Sequence, residues 1–369
     1  MKICLYSPYI PKHTGGGEMY LLQVAECLLE DSHQVFLAIG GEGVAAGGQA
    51  SAQAQTIIDQ YQTAFNLNLA GLEVISTPLN SPANFLQKLL WTRQFDVVYY
   101  LTDGSIFASL AKHKSILHLQ FPFTQRKSLL EQFKLLTWRV KNTNSEFTRG
   151  VVEKSWPTKI DLVHSPYVEL SQSPTAPKKE KVILHIGRFF RQLHSKRQDV
   201  LVESFKELRK RFPEESQDWK LVMIGGIEDQ DYADEVKNLS QGQPIEFYHD
   251  LNRDQVEEWL FRSKIYWHAT GFGVDQALHP EKVEHFGIST IEAMAAGLVP
   301  VVINLGGQPE ILADKLRECL WNTQLELVDI TQKLMTDKER WQKLSQLAQQ
   351  RARHYSKTRF ASALKQMLN

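Results

Sequence analysis

The chain lacks several features that would fix its class at once. In 369 residues it has three cysteines, Cys4, Cys27 and Cys319. They are odd in number and scattered, with no Cys-x-x-Cys pair and no cysteine–histidine cluster. That excludes a disulfide framework and a structural zinc site of the usual spacing. Cys4, in an apolar run, and Cys27, in an amphipathic stretch, read as buried small hydrophobes. No charge of one sign dominates: Lys+Arg and Asp+Glu are both 42. Nothing global therefore favours nucleic acid, although a local basic patch stays open. No segment approaches the roughly 18 uncharged apolar residues of a membrane span. The apolar run in "MKICLYSPYIP" is too short for a signal peptide and is broken by Pro8 and Pro11. The expectation is a soluble, cytoplasmic protein, with peripheral membrane contact left open.

What is present is alternation. Hydrophobic residues make up 43% of the chain, enough for two ordinary cores, and the length favours two domains. Short apolar runs read as strands: "KICLYSP", "QVFLAIG", "LEVISTP", "DVVYYLT", "SILHLQF", "RVKNTN" and "KIDLVHSP" in the first half. "KVILHIGR", "KLVMIGG", "IEFYHDL", "KIYWHAT" and "LVPVVIN" follow in the second. Helical patterns lie between most of them, such as "GEMYLLQVAECLLED", with Leu21, Val24, Ala25 and Leu28 on one face. Near-continuous apolar strands separated by helices predict parallel sheets covered on both sides.

The polar, proline-bearing stretch Leu170–Lys181 reads as the linker. The expected domains are 1–170 and 181–354, joined by 171–180, with a last helix of about 355–369 that can return to the first domain. From about Gln324 onward the chain reads as almost wholly helical. The fold class is α/β, with two doubly wound halves. Ligand crevices in such sheets lie outside the carboxyl ends of the strands, so two facing halves predict a cleft between them. The Gly/Ala/Gln-rich stretch Gly40–Gln55 reads as a mobile loop. Its Gly41-x-Gly43-x-x-Ala46 formally matches a relaxed dinucleotide fingerprint, but it follows the second strand, and the fingerprint belongs to the first turn of its unit.

One stretch carries the chemistry: "EHFGISTIEAMAAGLVPVV", Glu284–Val302. Gly287 ends a loop and Ile288–Ala296 reads as a helix. First-turn amides near Gly287, Ile288 and Ser289 have no intrahelical acceptor and carry the positive end of the dipole, so a phosphate suits them. An acid there repels that phosphate. Glu284 and Glu292 must then serve other groups, and a carboxylate accepts the paired hydroxyls of a sugar. Two sugars flanking a diphosphate outline a nucleotide sugar. The bland alternative, a helix start with a dipole-favoured acid, fits the spacing equally well.

That stretch resembles the E-x7-E motif of retaining glycosyltransferases of family 4, which have the GT-B fold of two Rossmann-like domains. The likeness runs over nearly the whole chain. "SPYIPKHTGGGE" resembles the N-terminal glycine loop, and "NTNSEFTRGVVEKSW" the segment after the last N-domain helices. "VILHIGRFFRQLHSKRQDVLVESF" is similar to the Gly-Arg…Lys donor motif. "WHATGFGVDQALHPEKVEHFG" is similar to subgroups that include bacterial enzymes and lipid-linked oligosaccharide mannosyltransferases.

The resemblance implies roles. Glu292 binds the nucleotide ribose and Glu284 the transferred sugar, while Phe286, Gly287 and Ile288 lend backbone contacts to sugar and phosphate. Arg188 and Lys196 are expected at strand tips, where two cations stabilise a departing diphosphate more in the transition state than before it. Arg197 stands where the family commonly has glycine, and Lys196 is taken as the phosphate-facing cation. Gly16 and Gly17 precede a helix, so their amides can face the diphosphate from the opposite domain; Glu18 either caps that helix or touches the acceptor. His118, at the end of a strand, is implied to face the donor sugar, though a lone strand histidine is more often a core residue.

No essential metal is expected: Asp229-x-Asp231 reads as a capped, exposed loop, and the cations do the charge work. Arg126–Arg149 is locally basic, with Leu129, Leu130, Phe133 and Leu136 on one apolar face. It fits both a helix on anionic lipid and one packed on the core. The resulting expectation is a retaining hexosyltransferase that uses a nucleoside-diphosphate sugar, with GDP-mannose suggested by "HPEKVEHFGIST". The acceptor is a glycan or lipid-linked hydroxyl. A GT-B epimerase or hydrolase, or a nucleotide-sugar sensor, are the competing classes.

Overall fold

The structure, a computed structural model, describes residues 1–11, 15–40, 48–80, 84–170, 178–192 and 194–369, with 48–53 as backbone only. The chain divides into two compact units. One is Met1–Tyr167 with Lys357–Asn369, and the other is Val168–Ser356.

The first unit is built on strands β1 (Lys2–Tyr6), β2 (Gln34–Ile39), β3 (Glu73–Ser76), β4 (Val97–Leu101), β5 (Lys114–Leu119), β6 (Val140–Thr143) and β7 (Leu162–Val163). Among the described residues they form one sheet in the order β3-β2-β1-β4-β5-β6-β7. Every pairing is parallel. Strand alternation sends Ile3 and Leu5 into one apolar cluster and Cys4 and Tyr6 into another, so neither face of β1 tolerates a polar residue. The helix Gly16–Glu30 buries Leu21, Val24, Ala25 and Leu28, the face its periodicity predicts. The last helix, Lys357–Leu368, adds Phe360, Leu364, Met367 and Leu368 to the cluster of Ile3 and Leu5. Lys357 Nζ ties it down at 2.8 Å from Glu26 and 2.7 Å from Glu30.

The second unit holds β8 (Val182–Ile186), β9 (Lys220–Ile224), β10 (Ile245–Tyr248), β11 (Ile265–His268), β12 (Val299–Ile303) and β13 (Leu320–Trp321). Among the described residues their order is β10-β9-β8-β11-β12-β13, all parallel. Trp267, Trp321 and Phe205 are wholly buried between the sheet and its helices. The Trp267 indole, a polar group that burial would penalise, donates to Thr331 Oγ1 at 2.9 Å. Strand order reverses beside β1 in the first unit and beside β8 in the second. The crevices for ligands therefore open at the ends of β1 and β4, and of β8 and β11.

Several expectations change. The Gly40–Gln55 loop is partly helix, because a helix covers Gly48–Phe65, where alanine and glutamine favour that state. Residues 41–47, including the Gly41/Gly43/Ala46 match, lie outside the described residues, as do 171–177 of the expected linker and Lys12–Thr14 of the glycine loop. Within Arg126–Arg149 the basic helix is Leu129–Leu135; β6 follows, where "RVKNTN" predicts a strand, and then the helix Glu146–Ser155. Its four apolar residues Leu129, Leu130, Phe133 and Leu136 are exposed, while Leu135 and Trp138 turn inward. The core-packed reading of that face is therefore corrected. Among the described residues, no helix is long and apolar enough to cross a membrane.

Candidate functional site

The site grows out of the β8/β11 reversal. After β8, the Gly187 N–H donates to Ile224 O at 2.8 Å. A Cβ on Gly187 would lie 2.7 Å from Lys196 Cγ, and one on Gly225 would lie 2.1 Å from Gly187 O. Only glycine lets the strand ends and the lysine stem come this close. Lys196 then reaches Glu284, with Nζ 2.5 Å from Oε2. His268, the last residue of β11, brings Nε2 to 3.1 Å from the same oxygen, and Thr270 Oγ1 lies 3.2 Å from that nitrogen. These contacts fall on Oε2 and leave Oε1 outside them. Burial pushes the Glu284 carboxyl up, but the Lys196 ammonium and the His268 hydrogen bond outweigh it and hold the group well below the usual carboxylate range. Burial pulls His268 below its ordinary value, against the raising effect of Glu284.

The backbone of Glu284 is clamped. Its carbonyl accepts from Gly307 N at 2.8 Å, and Gly306, at φ 61°, packs so closely that a Cβ would lie 2.1 Å from the same oxygen. Three residues on, Gly287 has φ 118° and starts the helix Ile288–Ala295. A Cβ there would meet Gln308 Nε2 at 2.4 Å. Gln308 is wholly buried; its Oε1 accepts from Thr290 Oγ1 at 2.9 Å, and its Nε2 finds no partner among the described residues. The Tyr266 hydroxyl donates to Ser289 Oγ at 2.8 Å and fixes the first turn.

Glu292 sits further along the same helix, mostly buried. Arg253 holds it, with Nη1 2.5 Å from Oε1, and the same guanidinium reaches Glu257 through Nε at 2.8 Å. Lys196, Glu284, Gly287 and Glu292 are thus gathered at one edge of the second unit. Arg188 is not drawn in: its exposed guanidinium turns to Glu228, at 3.0 and 3.2 Å. Arg197 is engaged elsewhere, donating to Asp199 at 2.9 Å and to Phe272 O at 2.5 Å. Its φ of 54° is the left-handed conformation that favours glycine. The Phe286 ring is buried edge-on against Tyr355, so only its backbone is left for a ligand. Asp229 caps the helix Gln230–Leu239 by accepting from Tyr232 N at 3.0 Å, as the capped-loop reading requires.

The first-unit residues are placed separately. Gly16 and Gly17 open the helix Gly16–Glu30, and a Cβ on Gly17 would lie 2.0 Å from Gln120 Nε2. Glu18 Oε2 accepts from Gly15 N at 2.8 Å, a capping contact. His118 ends β5 almost as expected but is wholly buried. Its ring stacks on Tyr20 at 3.8 Å between centroids, and its Nδ1 is hydrogen-bonded to Asn142. Burial lowers it to about 3. The enclosed side chain packs as a core histidine would, with Nε2 left without a partner among the described residues.

Sequence reasoning missed Arg253, His268 and Gln308. His268 lay within the quoted "WHATGFG" run at a strand's carboxyl end, which was signal enough. Arg253 and Gln308 had none, being 39 and 21 positions from the glutamate (Glu292) and the helix start (Gly287) they serve.

The arrangement pairs an anion-binding helix start and an ammonium with two carboxylates. Residues 168–351 match the family described as "Glycosyl transferases group 1". The Neurospora crassa GDP-Man:Man(3)GlcNAc(2)-PP-Dol alpha-1,2-mannosyltransferase is 30% identical over 196 residues, 45% of this chain and 33% of that protein. The Dictyostelium discoideum protein of the same name is 25% identical over 195 residues, 50% of this chain and 36% of its own. The chain therefore spans about a third of the length of these curated relatives. Among solved structures, Anabaena HepE in complex with UDP superposes with a TM-score of 0.67 at 16% identity, over 100% of this chain and 99% of that one. A Rickettsia africae glycosyltransferase gives 0.69 at 16% identity, over 100% and 98%. At such identity they speak for the fold, two parallel-sheet Rossmann-like domains of the GT-B class.

Proposed function

We propose that the chain is a retaining hexosyltransferase of family 4. Its second unit binds a nucleoside-diphosphate sugar, with GDP-mannose as donor, and the sugar passes to a hydroxyl of a lipid-linked glycan. The observation that carries this reading is the Lys196–Glu284 pair held three residues ahead of the Gly287 helix start. The diphosphate lies on the first-turn amides of Gly287, Ile288 and Ser289. Glu292, oriented by Arg253, takes the ribose hydroxyls, and Glu284 takes hydroxyls of the transferred sugar.

As the bond from the anomeric carbon to the phosphate oxygen breaks, negative charge builds on that oxygen. Lys196, freed from Glu284 by the incoming phosphate, stabilises it. The acceptor oxygen bonds to the anomeric carbon from the same face, and its proton moves to the departing phosphate. No covalent sugar–enzyme intermediate is needed. The relatives' names, which carry GDP-Man and PP-Dol, support this donor and acceptor class. No metal is essential in this scheme, and a cytoplasmic enzyme, at most peripheral to a membrane, is its setting.

Incubation of GDP-mannose with a polyprenyl-diphosphate-linked glycan, followed by NMR of the product anomer, tests the reading. An α-mannoside formed equally well in EDTA supports it. A β product, or donor breakdown that ignores the acceptor, refutes it.

A further inference from the structure

Twelve large apolar side chains are exposed among the described residues, and eight of them belong to one side of the first unit. Three come from the helix Phe85–Thr92: Phe85 at 57%, Leu86 at 59% and Leu90 at 51% exposed. Four more come from the helix Leu129–Leu135 and its cap: Leu129 at 75%, Leu130 at 64%, Phe133 at 68% and Leu136 at 78%. The eighth, Leu110, lies on the strip that joins them. Leu110 N donates to Thr92 Oγ1 at 2.9 Å, and Ser109 N donates to Thr137 Oγ1 at 3.1 Å, so both helices are stitched to residues 109–110. Both also border one cavity of about 240 Å³ at the β1/β4 reversal, through Phe85 and Lys88 on one side and Lys134 on the other.

Each helix spends its inward face on the core, through Thr92 and Leu135, and leaves the outward face apolar. Monomeric proteins rarely leave such a contiguous patch uncovered. Its charge says what covers it. Residues 85–93 and 126–139 carry six basic side chains, Lys88, Arg93, Arg126, Lys127, Lys134 and Arg139, against the single acid Glu131. That acid is spent on Lys127, at 3.1 Å. Apolar side chains flanked by uncompensated cations match the acyl boundary and the headgroups of an anionic bilayer. A second copy of the chain fits poorly, because face-to-face pairing sets five uncompensated cations, Lys88, Arg93, Arg126, Lys134 and Arg139, against five.

We propose that the helices Phe85–Thr92 and Leu129–Leu135 together form a docking face for anionic membrane. The face goes beyond the donor site of the second unit and stands or falls independently of it. It places the cavity bordered by Lys88 and Lys134 at the bilayer surface, within reach of a lipid-borne substrate.

Flotation of the full chain with vesicles of phosphatidylcholine alone, or mixed with phosphatidylglycerol, tests this. The chain floats with the anionic vesicles and not with the neutral ones, and high salt weakens the binding. The pair Leu130→Asp with Leu136→Asp, and the pair Leu86→Asp with Leu90→Asp, each lower the bound fraction roughly tenfold or more. Because these positions are exposed, melting behaviour and nucleotide-sugar binding stay at the parent's values. Absence of flotation with anionic vesicles overturns the proposal, as does flotation that the aspartate pairs leave unchanged. A dimer in light scattering that those pairs abolish overturns it too, by showing that the face is covered by a second copy.

Discussion

Lys196 Nζ lies 2.5 Å from Glu284 Oε2, with only 18% and 17% of the two side chains exposed. Eighty-eight positions separate them in the chain. A pair this shielded is costly to break on one side only, because the remaining charge stays without its partner. In the proposed mechanism, an arriving diphosphate takes Lys196 from this pair.

Removing the cation should therefore cost both catalysis and stability, since Glu284 is left without its partner. Lys196→Ala is expected to lower kcat about 100- to 1000-fold, the scale of losing one charge-stabilising donor. Glu284→Gln leaves the ammonium without a counter-charge and should cost up to about 3 kcal/mol of stability. Steady-state kinetics and urea unfolding of the two variants check both.

Arg197 is the control. Its guanidinium is occupied by Asp199 and Phe272 O, and its φ of 54° is strained for a side-chain-bearing residue. Arg197→Gly relieves about 1 kcal/mol of that strain while losing those ties, so stability should change little. Activity should stay within about threefold of the parent, since no transition-state contact is removed. A loss as large as that of Lys196→Ala would reassign the phosphate-facing cation.

Gly287 is required twice, by its φ of 118° and by the Gln308 amide that a Cβ would meet at 2.4 Å. Gly287→Ala should cost about 1–3 kcal/mol and displace the first-turn amides. Nucleotide-sugar affinity should fall with it, measurable by calorimetry.

Buried histidines predict acid lability. Burial lowers His118 to about 3 and His164 to about 4 in the first unit. In the second it lowers His185 to about 3, His194 to about 4 and His285 to about 3. Each stays neutral when folded and is protonated near 6.5 when unfolded, so the unfolded chain binds more protons as pH falls. The stability they contribute is complete above 6.5 and is lost between 6.5 and about 3–4. The slope is about 1.4 kcal/mol per pH unit for each histidine in that window. Thermal melts should be flat above pH 7 and fall steeply below 6.5. Unchanged melting down to pH 4.5 would contradict the neutral assignment.

The alternation of strands and helices was legible because parallel strands covered on both sides must be apolar at every position, as in Ile3–Tyr6 and Val299–Ile303. β13, with two residues, is too short to show any period. Glu284, Glu292, Gly287 and Lys196 were legible through one local motif and one glycine–lysine segment. Arg253 and Gln308 were not, because tertiary packing alone brings them to the helix. His118 shows the reverse: its place at a strand end is visible in the sequence, but the Tyr20 ring that covers it is set by the fold.

The central claim is that Lys196, the Gly287 turn and the paired glutamates hold a nucleoside-diphosphate sugar. A thermal-shift titration with GDP-mannose and UDP-glucose, on the parent and on Lys196→Ala and Gly287→Ala, tests it most directly. GDP-mannose at about 100 times its Kd should add about 2.7 kcal/mol, a rise of a few degrees in Tm, for the parent. That rise should largely vanish in both variants. No shift with either nucleotide sugar, or an equal shift in all three proteins, would contradict the account.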